Sequence, residues 1–142
     1  MAADYQRARY ASLQGSGILI TGGASGIGAE MVRAFAAQDA RVHFIDIDAA
    51  SGAALAAETG ASFHACDLRD VAALRRVVTT AETDTPIDTL VNNAGKDDRH
   101  DMFSVEPDYW NERLAFNLNH QFFGSVKNLG KPACLSWANR PG

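Results

Sequence analysis

The sequence predicts an α/β fold: a doubly wound parallel sheet of about four strands with flanking helices. Three observations predict it. Short apolar runs alternate with helical patterns in the order β-α-β-α-β-α-β-α, with short connections between them. That order calls for parallel strands joined by right-handed crossovers, with helices on both faces. The run Ile18-Leu19-Ile20-Thr21 is cut by Gly22-Gly23 and followed by a helical pattern from Gly26, a strand–turn–helix junction. The carboxyl ends of all four strands are polar, acidic or glycine-rich: Gly22 to Gly28, Asp46, Cys66-Asp67-Leu68, and Asn92 to Gly95. Ligands of such sheets collect at those ends.

The elements follow in order. Residues 1–14 read as a loose arm. The helix after the glycine turn carries Ile27, Met31, Val32 and Phe35 at helical spacing, an apolar stripe for a sheet. Arg41 to Ile45 is a second strand ending in Asp46. Asp48 can cap the alanine-rich helix Ala49 to Thr59, and Gly60 is a natural stop. Ser62 to Cys66 is a third strand running into Asp67-Leu68. Asp70 can cap a helix whose apolar face holds Val71, Leu74, Val77 and Val78. After Pro86-Ile87-Asp88, Thr89 to Asn92 is the fourth strand. A polar loop, Lys96 to Asp101, precedes a long helix over about Pro107 to Leu129. Its inward stripe is expected to be Trp110, Leu114, Leu118, Gln121 and Phe122, with Asn117 inside it. Asn119 and His120 fit the outward side, and Phe122-Phe123 reads as core or interface.

The totals bound the function. A chain of 142 residues with 46% hydrophobic and 21% charged residues fits one globular unit with a real core. A net charge of −4 gives no electrostatic reason to expect nucleic acid or an anionic membrane as partner. No apolar run reaches the ~18–20 residues of a membrane span, and the first ten residues lack the apolar middle of a secretory signal. Cys66 and Cys134, far apart and without CxxC spacing, suggest neither a disulfide framework nor a zinc site. The expected location is cytoplasmic.

The chemistry starts at the glycine turn. Glycines let the backbone turn sharply and approach an anion without a Cβ in the way. Free N–H groups and the positive end of the helix dipole then face that anion. Asp46 follows the last glycine by about the 20 residues at which a carboxylate accepts from an adenosine ribose hydroxyl. It attracts a free 2′-OH and repels a 2′-phosphate, and no Lys or Arg lies in the turn to offset the repulsion, so NAD is expected rather than NADP. The other use of Asp46, capping the next helix, is one that Asp48 could fill instead.

At this point the motifs resemble those of a family. Thr21-Gly22-Gly23-Ala24-Ser25-Gly26-Ile27-Gly28 is similar to the TGxxxGxG cofactor turn of short-chain dehydrogenases/reductases. Cys66-Asp67-Leu68 is similar to their adenine-contacting segment, and Asn92-Asn93-Ala94-Gly95 to their NNAG motif. The resemblance spans roughly Leu13 to Phe123. Within the family, Lys96 to His100 and Tyr109 to Arg113 look most like bacterial NAD-dependent pentose dehydrogenases of the D-xylose type. It implies a Rossmann-like fold acting on the CH–OH group of a sugar or related alcohol, with residues 1–142 as a single cofactor-binding unit. It makes Gly22, Ser25, Gly26, Ile27 and Gly28 pyrophosphate and turn residues. Asp46 would serve the ribose, Asp67 and Leu68 the adenine, and Asn93, Ala94 and Gly95 the length of the cofactor. Asn117 matches the catalytic-helix asparagine, which holds a water in a proton relay; satisfying a strained helix carbonyl is the other use of a buried amide there. The long helix would also help form a homo-oligomer.

Carbonyl reduction further needs a proton donor matched to working pH. The family supplies a serine, then a tyrosine with a lysine four residues later. The tyrosines here are Tyr5, Tyr10 and Tyr109, followed four residues on by Arg9, Gln14 and Arg113. Tyr109/Arg113 has the near spacing but reads as a surface pair. Residues 124–142 do not match, and a short strand at Ala133 to Trp137 is the most they suggest. The expectation is a frame truncated or shifted near residue 124, and a chain without turnover that keeps the cofactor half-site. Two other readings stay open: a silent dinucleotide-binding module assembling with a full-length relative, and an S-adenosylmethionine methyltransferase, against which Asn92 to Gly95 and Asn117 argue. His64 and Cys66 share a strand face without a third metal ligand. Asp97, Asp98, His100 and Asp101 read as a solvated loop.

Overall fold

The computed structural model describes residues 8–96, 98 and 100–129. The arm before Ala8, Asp97, and the strand suggested at Ala133 to Trp137 lie outside them. The elements are β1 (Gly17–Thr21), α1 (Gly26–Ala36), β2 (Arg41–Asp46), α2 (Ala49–Thr59), β3 (Ser62–Ala65), α3 (Val71–Asp84), β4 (Ile87–Asn92), α4 (Pro107–Leu114) and α5 (His120–Leu129). A π turn over Ala115–Asn119 joins α4 to α5.

The sheet order is β3-β2-β1-β4 and every pairing is parallel. Successive residues of β1 point to opposite faces, and both faces are covered. Ile18 and Ile20 join Val32, Val42, Phe44 and Leu55 in one core, beneath α1 and α2. Leu19 joins Ile45, Leu68, Leu74, Val78 and Ile87 in the other, beneath α3. Burying runs of branched side chains on both faces is what a central parallel strand requires.

The helix stops and starts are chemical. Asp48 Oδ1 accepts from the amides of Ala50 and Ser51, both at 3.1 Å, and Asp70 Oδ1 accepts from Ala73 N at 2.9 Å. Gly60 closes α2 in the left-handed conformation. Strand β4 starts two residues earlier than the pattern suggested, because Ile87 pairs with Gly17 and the Asp88 carboxylate accepts from Gly17 N at 2.9 Å.

Four expectations need correction. The arm is not loose from Ala8 onward. Tyr10 N donates to Gln38 Oε1 and Gln38 Nε2 donates to Ala8 O, both at 2.9 Å, and Arg9 pairs with Asp39. Ile27 does not face the sheet. It is 76% exposed, because the first turn of α1 projects past the strand ends. Trp110, Leu118 and Phe122 are not an inward stripe: they are exposed by 58%, 54% and 61%. His120 is fully buried rather than outward. Trp110 lies on α4, none of whose residues is buried; for Phe122 and His120 the cause is the π turn. It adds a residue to one turn of the helix, so everything after it is rotated by about 100° from the uninterrupted pattern. His120 and Gly124, one turn apart, are the buried positions over residues 120–125 of α5, which packs on α3 and β4.

Candidate functional site

A crevice of about 360 Å³ opens at the carboxyl ends of the strands. Of the residues singled out from the sequence, it is lined by Gly22, Ser25, Ile27 and Gly28 from the β1–α1 turn, and by Asp46. Asp67 and Leu68 line it after β3, and Asn93, Ala94 and Gly95 after β4. Gly26 and Asn117 are not among the lining residues.

The turn is held from both sides. Gly22 N donates to Ile45 O at 2.8 Å, and Asn93 Nδ2 donates to Thr21 O and Gly22 O at 3.1 and 3.0 Å. Thr21 Oγ1 accepts from the amides of Asn93 and Ala94, each at 3.1 Å. A Cβ on Gly28 would lie 1.9 Å from Gly22 O, so only glycine lets α1 start this close to the strand. Gly26 sits at φ +54°, with nothing within 4 Å of where its Cβ would be. It shapes the turn and leaves open space before it. Ser25, the residue ahead of α1, makes no side-chain cap. The first amides of α1 therefore have no partner of their own within the helix, and a phosphate is the kind of group that such a terminus accepts.

Asp46 closes the other wall. Its Oδ2 accepts from Ala24 N at 2.9 Å and its Oδ1 from Asp48 N at 3.0 Å. Capping of α2 belongs to Asp48, whose carboxyl is held below the usual range by the Ser51 hydroxyl and amide. Asp46 thus stays at the crevice wall. Next to it, Ile47 is 64% exposed and lines the crevice, as Leu68 does, with an apolar surface. Ile47 escaped the sequence reading because a single apolar residue after a strand carries no pattern. Asp67 is held below the ordinary carboxylate range by the Arg69 guanidinium. Burial pushes the Cys66 thiol up, with Asp70 and Asp67 adding to it.

Asn117 does something local. Its Oδ1 accepts from Lys96 N at 2.7 Å and its Nδ2 donates to Lys96 O at 3.0 Å. This two-point clamp ties the π turn to the residue after Gly95. Side chains one turn on bond two carbonyls of the π turn: His120 Nδ1 donates to Phe116 O at 2.6 Å, and Gln121 Nε2 to Asn117 O at 2.8 Å. Phe116 reaches the crevice wall from the same turn.

The smaller candidates have other occupations. His64 Nε2 lies 3.1 Å from His43 Nδ1, and His43 Nε2 lies 3.4 Å from Asp84 Oδ2. Asp98 accepts from Arg113 Nη1 at 2.8 Å, and Asp101 caps a short turn through Phe103 N at 3.2 Å. His100 stacks on Tyr109, with ring centroids 4.1 Å apart, and the Arg113 guanidinium sits 5.0 Å from the same ring. Tyr109 is thereby held in a surface stack away from the crevice lining.

Residues 16–130 match the family model for short chain dehydrogenase. A probable galactose dehydrogenase of Rhizobium meliloti, GalD, is 45% identical over 122 residues, covering 81% of this chain and 48% of the relative. A D-xylose 1-dehydrogenase of Caulobacter vibrioides is 45% identical over 147 residues, covering 90% of this chain and 57% of the relative. The chain thus spans about half the length of these relatives. Among solved structures, a Serratia marcescens short-chain dehydrogenase/reductase mutant superposes with a TM-score of 0.75 at 32% identity, covering 82% of this chain and 50% of that one. An NADH-dependent reductase complexed with NAD shares the fold, with a TM-score of 0.78 at 24% identity, over 90% of this chain and 56% of that one.

Proposed function

The chain belongs to the short-chain dehydrogenase family, and from that premise we propose that it is the NAD-binding part of an oxidoreductase acting on the CH–OH group of a sugar or related alcohol. The observation that carries the cofactor reading is Asp46. Its carboxylate is fixed at the crevice wall by Ala24 N and Asp48 N, and residues 22–28 hold no cation to receive a 2′-phosphate. The residues that would hold the dinucleotide are Gly22, Ser25, Gly26, Ile27 and Gly28 at the pyrophosphate and Asp46 at the ribose. Asp67 and Leu68 would hold the adenine, with Asn93, Ala94 and Gly95 beside the nicotinamide half. The bound cofactor supplies the hydride-accepting ring. Asn117 contributes by holding Lys96, and so the end of the Asn93-Ala94-Gly95 segment, in place.

The sugar reading draws on the relatives named for galactose and D-xylose. No tyrosine in residues 1–142 has a lysine four residues on, so this stretch lacks the family's proton donor and binds without turning over. A cytoplasmic setting fits the two widely separated cysteines, and no helix among the described residues is long and apolar enough to cross a membrane. A second reading, a silent dinucleotide-binding module assembling with a full-length relative, is favoured by the exposed Trp110, Leu118 and Phe122.

Calorimetric titration of the purified chain tests both halves. NAD binds at least about tenfold tighter than NADP, since like charges in close contact cost more than ~1.4 kcal/mol. Asp46→Ala narrows that gap. Equal affinity for the two dinucleotides refutes the selectivity argument, and turnover of pentose with NAD refutes the inactive half-site.

A further inference from the structure

We propose that Arg69 is a positioning residue for adenine recognition, holding the Asp67 carboxylate at the crevice rim so that it accepts from the exocyclic amino group of the purine. The inference rests on the dinucleotide reading above and deepens it. The Asp67–Asp70 segment is a tight turn, with Asp70 N donating to Asp67 O at 3.0 Å. Leu68, at its centre, is 5% exposed and locked into the core under α3. Asp67 therefore has a fixed backbone, but a half-buried carboxylate on a fixed backbone still rotates.

Arg69 removes that freedom from two directions. Its amide donates to Asp67 Oδ1 at 3.0 Å. Its side chain then returns: Nε lies 3.0 Å from Oδ1 and 3.1 Å from Oδ2, and Nη2 lies 2.7 Å from Oδ2. The planar fork matches the carboxylate edge, which a lysine ammonium does not do. The third nitrogen, Nη1, lies 3.5 Å from Glu112 Oε1 on α4, so the arginine is itself anchored. A carboxylate offers about four lone-pair positions. The single Nε–H is shared between both oxygens, so three hydrogens from Arg69 meet four lone-pair positions and acceptor capacity is left on Oδ2, which has Nη2 and the longer half of the shared bond. Asp67 lines the crevice. An amino group on the base is a partner for that remaining position, whereas a keto oxygen there is repelled by the carboxylate. The arrangement thus reads adenine against hypoxanthine, and Arg69 sets how sharply.

The test compares NAD with nicotinamide hypoxanthine dinucleotide by calorimetry on the intact 142-residue chain, as wild type, Arg69→Met and Arg69→Lys, each checked for unchanged circular dichroism. Wild type prefers NAD on the order of tenfold, the worth of one hydrogen bond to a charged group. Arg69→Met lowers that preference by about fivefold through weaker NAD binding, with the hypoxanthine analogue unchanged, and Arg69→Lys restores it only in part because the fork is lost. If Arg69→Met unfolds, Arg69→Lys alone decides: full wild-type preference overturns the proposal. It is also overturned if Arg69→Met keeps the full preference, if both ligands weaken equally, or if wild type does not distinguish the bases. Wild type that is folded and binds neither dinucleotide overturns the dinucleotide reading itself, a result separable from all of these.

Discussion

Strands β1 and β4 lie side by side, Ile18 beside Thr89 and Thr21 beside Asn92, yet they live in different surroundings. All five residues of β1 are buried, with a strand on each side and helices over both faces. In β4, Asp88 and Thr89 are exposed and Leu90 and Val91 only half-buried, and it is the outermost strand on its side among the described residues. The helices repeat the contrast. Val32 of α1 is fully buried, whereas α4 has no buried residue, and Phe122 of α5 stands 61% exposed. The half of the crevice formed by β1, β2 and the glycine turn is built by close backbone contact. The half beside β4 is built by side-chain clamps, Asn93 on the turn and Asn117 on Lys96. Affinity for a dinucleotide should therefore be robust at its pyrophosphate end and soft at the other.

The contrast can be broken hardest at Gly28. Gly28→Val forces a Cβ to within 1.9 Å of a backbone oxygen that cannot move aside. Destabilisation at or above the top of the ~1–3 kcal/mol range for overpacking is expected, with loss of NAD binding. A urea midpoint close to wild type would show that the turn is not held rigidly.

Next in size is a pair of truncations of the same residue type. Phe44→Ala empties a fully buried site and should cost about 3–5 kcal/mol. Phe122→Ala removes exposed surface and should stay within about 0.5 kcal/mol. Denaturant unfolding of both separates the two regions directly. A large loss for Phe122→Ala means that its face is covered in solution, by a second copy of the chain, and sedimentation would show it.

Acid is the third lever. His43 and His64 are bonded to each other, and burial lowers both below the ordinary imidazole value, with His43 opposing His64 further and Asp84 pulling both back up. His120 is lowered by burial, with its bond to the Phe116 carbonyl pulling the other way. The unfolded chain takes up protons near pH 6.5 and the native one does not, so their stabilising effect is complete above about 6.5 and is lost as pH falls below it. Thermal midpoints at pH 7.5, 6.5 and 5.5 should fall steadily. The slope should flatten in His64→Gln, which removes one of the three depressed imidazoles. A slope identical to wild type rules out the pair as its source. The last lever is the cap of α3: Asp70→Ala should cost about 1 kcal/mol, read as a drop in thermal midpoint without change in NAD affinity.

Much of this was legible in the chain. Branched runs and helical spacing located β1, α1, β2 and α3, since a buried strand and an amphipathic helix write their burial into local order. Asp48, Asp70 and Gly60 were readable because caps act on their own neighbours. The crevice residues Gly22, Ser25, Ile27, Gly28, Asp46, Asp67, Leu68 and Asn93 to Gly95 were named from motifs, and the fold gathers them around one cleft. Ile27 was assigned a second role, on the sheet, that its exposure contradicts. His120 and Phe122 depart from the helical pattern because the π turn breaks it, and Trp110 because no residue of α4 is buried.

The sequence by itself determined the alternation of strands and helices, the positions of the glycine turn and the strand-end carboxylates, and the lack of a Tyr–Lys pair at family spacing. Those depend on residue types and short intervals. Only the tertiary structure decided which face of the last helix is buried, that Ala8 to Tyr10 is fastened to Gln38 and Asp39, and that Asn117 spends its amide on Lys96. Each depends on contacts between segments twenty or more residues apart. The free energy of such contacts comes from what folding brings together, and no local pattern records it.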